Sequence, residues 1–306
     1  MGHGHGHGHA ANRAADRTRL RWVLAVTVTV LVVEVVGGLL TGSLALLADA
    51  GHMATDAGAI VLALGASYLA SRPASRRSTF GYHRFEVLAA LANALVLLVV
   101  CAYLAYVGLS RLSDPPDVDA GPMLIFASAG LLANAGSMIV LNRGDIASLN
   151  LRGAANEVFA DLLGSLLAII AGLVILFADY PRADPIATLA IAVLIVPRSW
   201  FLLRDAAVVL LEIAPSGLDL DAVEHNLRHV HGVVDIHDLH AWTITSGMPS
   251  LSAHVTVSDE SLAARGVGAI LDELCACVTE HFEVRHATFQ VEPQSHEAHE
   301  DLGELH

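Results

Sequence analysis

Six apolar runs, each about as long as the roughly 20 residues a helix needs to cross a hydrocarbon core, dominate the first two-thirds of the chain. They fall at about 22–40, 43–70, 84–110, 122–141, 151–177 and 184–204. In hydrocarbon every backbone N–H and C=O must be paired inside the segment, so each run is expected to be an α-helix. With 54% hydrophobic and 16% charged residues in 306, the composition excludes an ordinary soluble domain. The N-terminus lacks the charged, apolar, cleavage-site order of a signal peptide, so the first run is expected to be retained as a span.

Loop charges orient the spans. The 71–83 loop carries Arg72, Arg76 and Arg77, the 142–150 loop carries Arg143, and the last span ends with Arg198 and Arg204. The alternate loops are poor in net positive charge: Thr41-Gly42 has none, Arg111 faces Asp114, Asp117 and Asp119, and Arg182 lies near Asp179. The positive-inside rule then puts both termini in the cytoplasm, and the expected setting is a bacterial inner membrane.

Within this apolar background stands Ala48-Asp-Ala-Gly-His-Met-Ala-Thr-Asp56. An ionisable group at the centre of a membrane helix costs about 2.5–3.5 kcal/mol on insertion scales, so it is expected to face a partner or a water-filled path. Asp49, His52 and Asp56 at i, i+3 and i+7 share one helix face, and Glu157 and Asp161 at i, i+4 form a second such face. His52, Asp56, Glu157 and Asp161 can converge as one nitrogen and three carboxylate ligands around a divalent cation, the donor set zinc accepts in a tetrahedron. Neutral imidazole and ionised carboxylate are the metal-binding forms, so metal and protons compete for the same atoms. His52 is thereby a proton-coupling candidate, and Asp49 is another, or it orients His52. Glu34, alone in the first span, reads equally as a proton carrier or as a partner behind the ligands. Asn93 and Asn134 are expected to form interhelical hydrogen bonds, and Pro197 to end or bend the last span.

Two further regions are rich in histidine. Residues 1–19 alternate Gly and His, with His3, His5, His7 and His9, and read either as a flexible metal-collecting tail or as an added affinity segment. From about Leu211 the composition becomes that of a soluble domain. After Ser216 there are 16 acidic residues against 3 arginines, within a net charge of -14, which argues against nucleic acid and for cations as partners. Helix 219–229, strand 233–245, strand 251–257, helix 262–282 and strand 287–292 give α-β-β-α-β, with a sheet suited to dimerisation. His237, His254 and Glu292 are candidate ligands of a second metal site. His225, His229 and His231 belong to a solvated helix end. Cys275 and Cys277 read as packed small residues rather than a soft-metal pair, and three cysteines imply no disulfide framework. The last residues, with His296, His299 and His306 among acids, look like a disordered tail.

Taken together, Gly42-Ser-Leu-Ala-Leu-Leu-Ala-Asp-Ala-Gly-His52, Phe80-Gly-Tyr-His-Arg84, Asn150-Leu-Arg-Gly153, Asp184-Pro185 and His237-Asp-Leu-His-Ala-Trp242 resemble the cation diffusion facilitators, the CzcD- and ZnT-like zinc transporters. The resemblance spans about Leu20 to Pro293. It implies a homodimer of six-helix protomers with cytoplasmic ferredoxin-like domains, exporting a divalent metal in exchange for protons by alternating access. The family's transport site falls on His52, Asp56, Glu157 and Asp161. Glu157 departs from the His of many zinc-selective members and hardens the site, which leaves discrimination against Cd, Co, Mn or Fe open, with Cd and Co as further candidates. The family's extra loop site would need ligands where Ser75, Ser78 and Tyr82 stand and is expected to be absent, leaving His83 solvated or structural. A last-strand His position falls at Gln290, so no full binuclear site is expected.

The expected organisation is therefore a His-rich cytoplasmic tail (1–19), a six-helix transmembrane domain (20–212), a cytoplasmic α+β domain for dimerisation and metal sensing (213–293), and an acidic tail (294–306). The expected activity is zinc/proton antiport in the lipid bilayer, with zinc as substrate and regulatory ligand, no required cofactor and no enzymatic step. The competing reading is a membrane-bound metal sensor without net transport. An intramembrane metalloprotease is disfavoured because no His-Glu-x-x-His is present.

Overall fold

A computed structural model of the chain describes residues 6–142, 149–284 and 286–299. It contains the helices α1 (Gly6–Thr41), α2 (Leu44–Ala70), α3 (Arg84–Ser113), α4 (Ala120–Asn142), α5 (Leu149–Ala178) and α6 (Ala183–Leu210). After these come α7 (Leu220–Arg228), β1 (Val233–Thr245), β2 (Met248–Val257), α8 (Asp259–Phe282), β3 (His286–Pro293) and a 3-10 turn at Gln294–His299. Among the described residues, α1 to α6 are long and apolar enough to cross a membrane. Contacts divide the chain into two units, 1–62 with 92–203, and 63–91 with 204–306.

In the first unit the interior is built of small and aliphatic side chains: Ala45, Leu46, Ala48, Met123, Ala127 and Ala168 are buried together with Leu97, Leu104 and Ile191. Large apolar side chains such as Leu40, Tyr106, Ile125, Leu132 and Phe177 point outward. This inverts the arrangement of a soluble protein and suits a lipid exterior, in which packing of small residues, and not apolar burial, holds helices together. α1 begins at Gly6, well before its apolar run, because Ala10, Ala11, Ala14 and Ala15 favour helix strongly. α6 runs past Pro197 to Leu210, so this proline does not end the span. Only the N–H of Pro197 itself is missing from the ladder.

The turn between α1 and α2 is held by hydrogen bonds from another helix. Gly42 has φ +72, a conformation open to glycine. Asp184, from the start of α6, accepts hydrogen bonds from Ser43 Oγ (2.6 Å), Leu44 N (2.8 Å) and Ala45 N (3.2 Å). It therefore caps α2 from another helix, pairing donors that would otherwise be orphaned at the helix start. The side chain is completely buried, so these bonds are its compensation for leaving solvent.

In the second unit β1 and β2 are antiparallel, turning through Ser246 and Gly247, whose φ is +75. β2 and β3 are parallel and joined by the crossover helix α8, giving the order β1-β2-β3. Leu251, Ala253, Val255 and Val257 of β2 pack with Ile236, Val223, Leu227, Ile270, Leu274 and Val278. Alternation then sends Ser252, His254 and Thr256 to the opposite face. Asp219 caps α7 by accepting from Asp221 N and Ala222 N, and Ser258 caps α8. β2 starts at Met248, three residues earlier than the apolar pattern indicates, because Met248 pairs with Thr245 across the turn. The expected disordered tail begins instead as the 3-10 turn, where Ser295 Oγ donates to Asp259 Oδ1 (3.0 Å).

Replacing Asp184 by Ala leaves buried donors unpaired, and the expected loss is about 1–3 kcal/mol. A clearly lowered Tm of the purified full-length protein is the expected outcome; a wild-type Tm would contradict the capping role.

Candidate metal centre

α2 and α5 carry the first site. One ligand atom each from His52, Asp56 and Glu157 lies within 4.8 Å of the others. His52 Nε2 is 3.4 Å from Asp56 Oδ2. Two ligands each about 2 Å from a tetrahedral ion are roughly 3.3 Å apart, so this edge already has the spacing of a shared cation. The i, i+4 step on α2 and the burial of His52 hold the pair together. Asp161, one turn beyond Glu157, is buried but lies outside this three-residue set. Both His52 ring nitrogens, Glu157 Oε1 and Asp161 Oδ2 are buried without a hydrogen-bond partner. Buried polar atoms in that condition mark a place for an additional ligand.

Arg198 of α6 completes the group, and its role was not evident from sequence. Its Nη2 is 2.8 Å from Glu157 Oε2 and its Nη1 is 3.7 Å from Asp56 Oδ2. At the end of an apolar run an arginine reads as a topology signal; only the packing of α6 shows what it faces.

Behind this set, Glu34, Asp49 and Ser165 meet in the interior, all buried. Ser165 Oγ is 3.4 Å from Glu34 Oε1 and 3.5 Å from Asp49 Oδ2. The approach is possible because Gly164 has no side chain: a Cβ there would fall 2.2 Å from Asp49 Oδ1. Asp49 thus points toward Glu34 and Ser165. The expected interhelical role of Asn134 is not seen among the described residues, where its amide atoms are buried and unpartnered.

The second site lies on the face of the sheet opposite the packed helices. His237 pairs in register with His254, and His254 with Gln290. Ligand atoms of His237, His254 and Glu292 lie within 4.8 Å of one another. His254 Nδ1 is 3.1 Å from Glu292 Oε1, and His237 Nε2 is 3.9 Å from Glu292 Oε2. Gln290 donates from Nε2 to Glu292 Oε1 (2.6 Å), orienting the carboxylate. Asp238, held at φ +51, places Oδ1 2.9 Å from His240 Nε2 and Oδ2 3.7 Å from His254 Nε2. Asp238 and Gln290 were not singled out as participants from sequence. Their signal is strand parity at Gln290 and a backbone irregularity between His237 and His240 that sequence does not display.

The other histidines are placed differently. His225, His229 and His231 are exposed, with the rings of His225 and His229 4.4 Å apart and tilted at 54°. Burial, with Glu280 beside it, pushes the Cys277 thiol above its ordinary value, which disfavours the thiolate a soft metal requires. Ser75 and Ser78 hydrogen-bond each other through the backbone in a turn. The side chains of His3, His5, His7 and His9, like His306, lie outside the described residues.

Six apolar helices, with an imidazole and carboxylates brought together between two of them, define a multi-pass membrane protein. Residues 20–211 match the cation efflux transmembrane domain, and residues 215–294 match the cation efflux protein cytoplasmic domain. The chain belongs to the cation efflux family. It is 42% identical to the metal cation efflux system protein CzcD of Cupriavidus metallidurans over 95% of this chain and 90% of that protein. It is 36% identical to the cadmium, cobalt and zinc/H(+)-K(+) antiporter of Bacillus subtilis, over 97% and 93% of the two chains. It is 38% identical to the zinc transporter ZitB of Escherichia coli, over 96% and 93%.

Gly164→Ala forces a methyl group against the Asp49 carboxyl, and overpacking of this kind costs about 1–3 kcal/mol. Thermal unfolding of the variant should show the loss; an unchanged Tm would contradict the close approach of α5 to Asp49.

Proposed function

We propose that this chain is a divalent-cation/proton antiporter that exports metal, zinc foremost, from the cytoplasm by alternating access. The observation that carries the reading is the imidazole and two carboxylates of His52, Asp56 and Glu157, within 4.8 Å of one another on membrane-crossing helices. Asp161 supplies the fourth donor when α2 and α5 draw together around the ion. Nitrogen with carboxylate oxygens suits zinc, and with a carboxylate in place of a second imidazole the site discriminates less against other dications, cadmium and cobalt among them. The names of the Bacillus subtilis and Escherichia coli relatives support that choice.

Metal binds the deprotonated donors, so a site facing neutral cytoplasm loads metal and the same site facing an acidic exterior loads protons. Asp49, behind His52, is assigned to the proton step. Four protein ligands leave no open position for a reacting water, so no enzymatic step is assigned. A sensor without transport would leave the intramembrane donors without a use.

The protein works as a homodimer of four regions: a tail (1–19) whose His3, His5, His7 and His9 collect metal weakly, a transmembrane domain (20–212), a cytoplasmic dimerisation domain (213–293) and an acidic tail (294–306). His237, His254 and Glu292 form a regulatory zinc site on its sheet.

Reconstituted vesicles with an acidic interior test the proposal. Zinc uptake should depend on the pH difference and fall by at least about tenfold in Asp161→Ala, since even indirect supports of metal ligands are worth that much. Uptake indifferent to the gradient would contradict antiport, and wild-type flux in Asp161→Ala would remove that residue from the site. In the same vesicles His52→Asp should move preference toward harder cations such as Mn2+; unchanged selectivity would show that this ligand is not the selector.

A further inference from the structure

We propose that Arg198 is a tethered counter-cation of the transport site, occupying the carboxylates until a dication displaces it and so setting which cations enter. This inference rests on the transport reading of His52, Asp56 and Glu157. Asp56 Oδ2 lies 3.4 Å from His52 Nε2 and 3.7 Å from Arg198 Nη1, so one oxygen serves both the nitrogen donor and the guanidinium. Glu157 Oε2 is held by the same guanidinium at 2.8 Å. A dication seated between His52 and Asp56 would therefore stand beside a fixed positive charge, and the two cannot share these oxygens without strong repulsion.

The guanidinium is suited to this substitution. Its planar fork spans two carboxylates and it remains charged at any physiological pH, so it can neutralise the site without taking up a proton. Its side chain is 51% exposed, against 14% for Asp56 and 27% for Glu157, so it is the member of the group least confined by protein and the one able to move away while the carboxylates stay. A monovalent ion gains too little from two carboxylates to displace an arginine that offers the same charge and hydrogen bonds as well. A dication that also binds His52 gains more. The competition thus discriminates by charge and by nitrogen affinity, and it keeps the metal from binding so tightly that release fails.

Phenylglyoxal modification of the purified full-length protein, quantified at Arg198 by mass spectrometry, tests the displacement directly. Saturating zinc should raise the rate at Arg198 by about fivefold or more, the population shift that breaking an ion pair of ordinary strength allows. An unchanged or slower rate overturns the proposal. In vesicles, Arg198→Gln should lower the KM for zinc by about fivefold and also lower kcat, while Arg198→Lys, which keeps the charge, stays nearer wild type. A KM unchanged or raised in Arg198→Gln likewise overturns it. Should Arg198→Gln not fold, the labelling of the wild-type protein decides alone. Zinc flux by the wild type in the same preparation tests the underlying transport reading: flux with no change in labelling defeats only the role of Arg198, and absence of flux defeats the transport reading.

Discussion

An ionised carboxylate in hydrocarbon persists only where something compensates its charge, and this chain places the carboxyl groups of Glu34, Asp49, Asp56, Glu157 and Asp161 inside its spans. Much of the first unit can be understood as the means of compensating them. Asp56 and Glu157 face His52 and Arg198, while Glu34 and Asp49 share the hydroxyl of Ser165. The first group brings a nitrogen and carboxylate oxygens of three side chains close together; in the second, Asp49 packs directly against Gly164 of α5.

The position of these groups depends on helix ends far from them in sequence. Asp184 fixes the start of α2 from α6, and α2 carries His52 and Asp56 two and three turns further along. The same α6 presents Arg198 to Glu157 of α5. A displacement of α6 would therefore act on both the anchor of α2 and the counter-cation of the site. The sheet of the second unit brings donor groups together by another device: strand register aligns His237, His254 and Gln290, and side-chain parity adds Glu292.

Much of this was legible in the sequence because it rests on period and length. Apolar runs of spanning length gave the six helices, and alternation gave the sheet, with β1 read at Val233–Thr245 as found. The failures have physical causes. Pro197 was expected to end or bend its span; it does not end it, because one missing N–H leaves the rest of the ladder intact, and α6 continues to Leu210. Arg198 was read only as a charge at the end of the last span, because its partners come from α2 and α5, which no local pattern connects. Three of the four expected intramembrane donors lie within one small set, with Asp161 buried beyond it. The i, i+4 spacing of Glu157 and Asp161 shows a shared face but not how closely that face meets α2.

The central claim is that the intramembrane donors, and not the histidine-rich parts outside, hold the transported metal. Zinc K-edge absorption on the full-length protein carrying His237→Ala, His254→Ala and Glu292→Gln tests it most directly. The account predicts bound zinc with one imidazole nitrogen and carboxylate oxygens at about 2 Å, lost when His52→Ala is added. A zinc environment that His52→Ala leaves unchanged would contradict it.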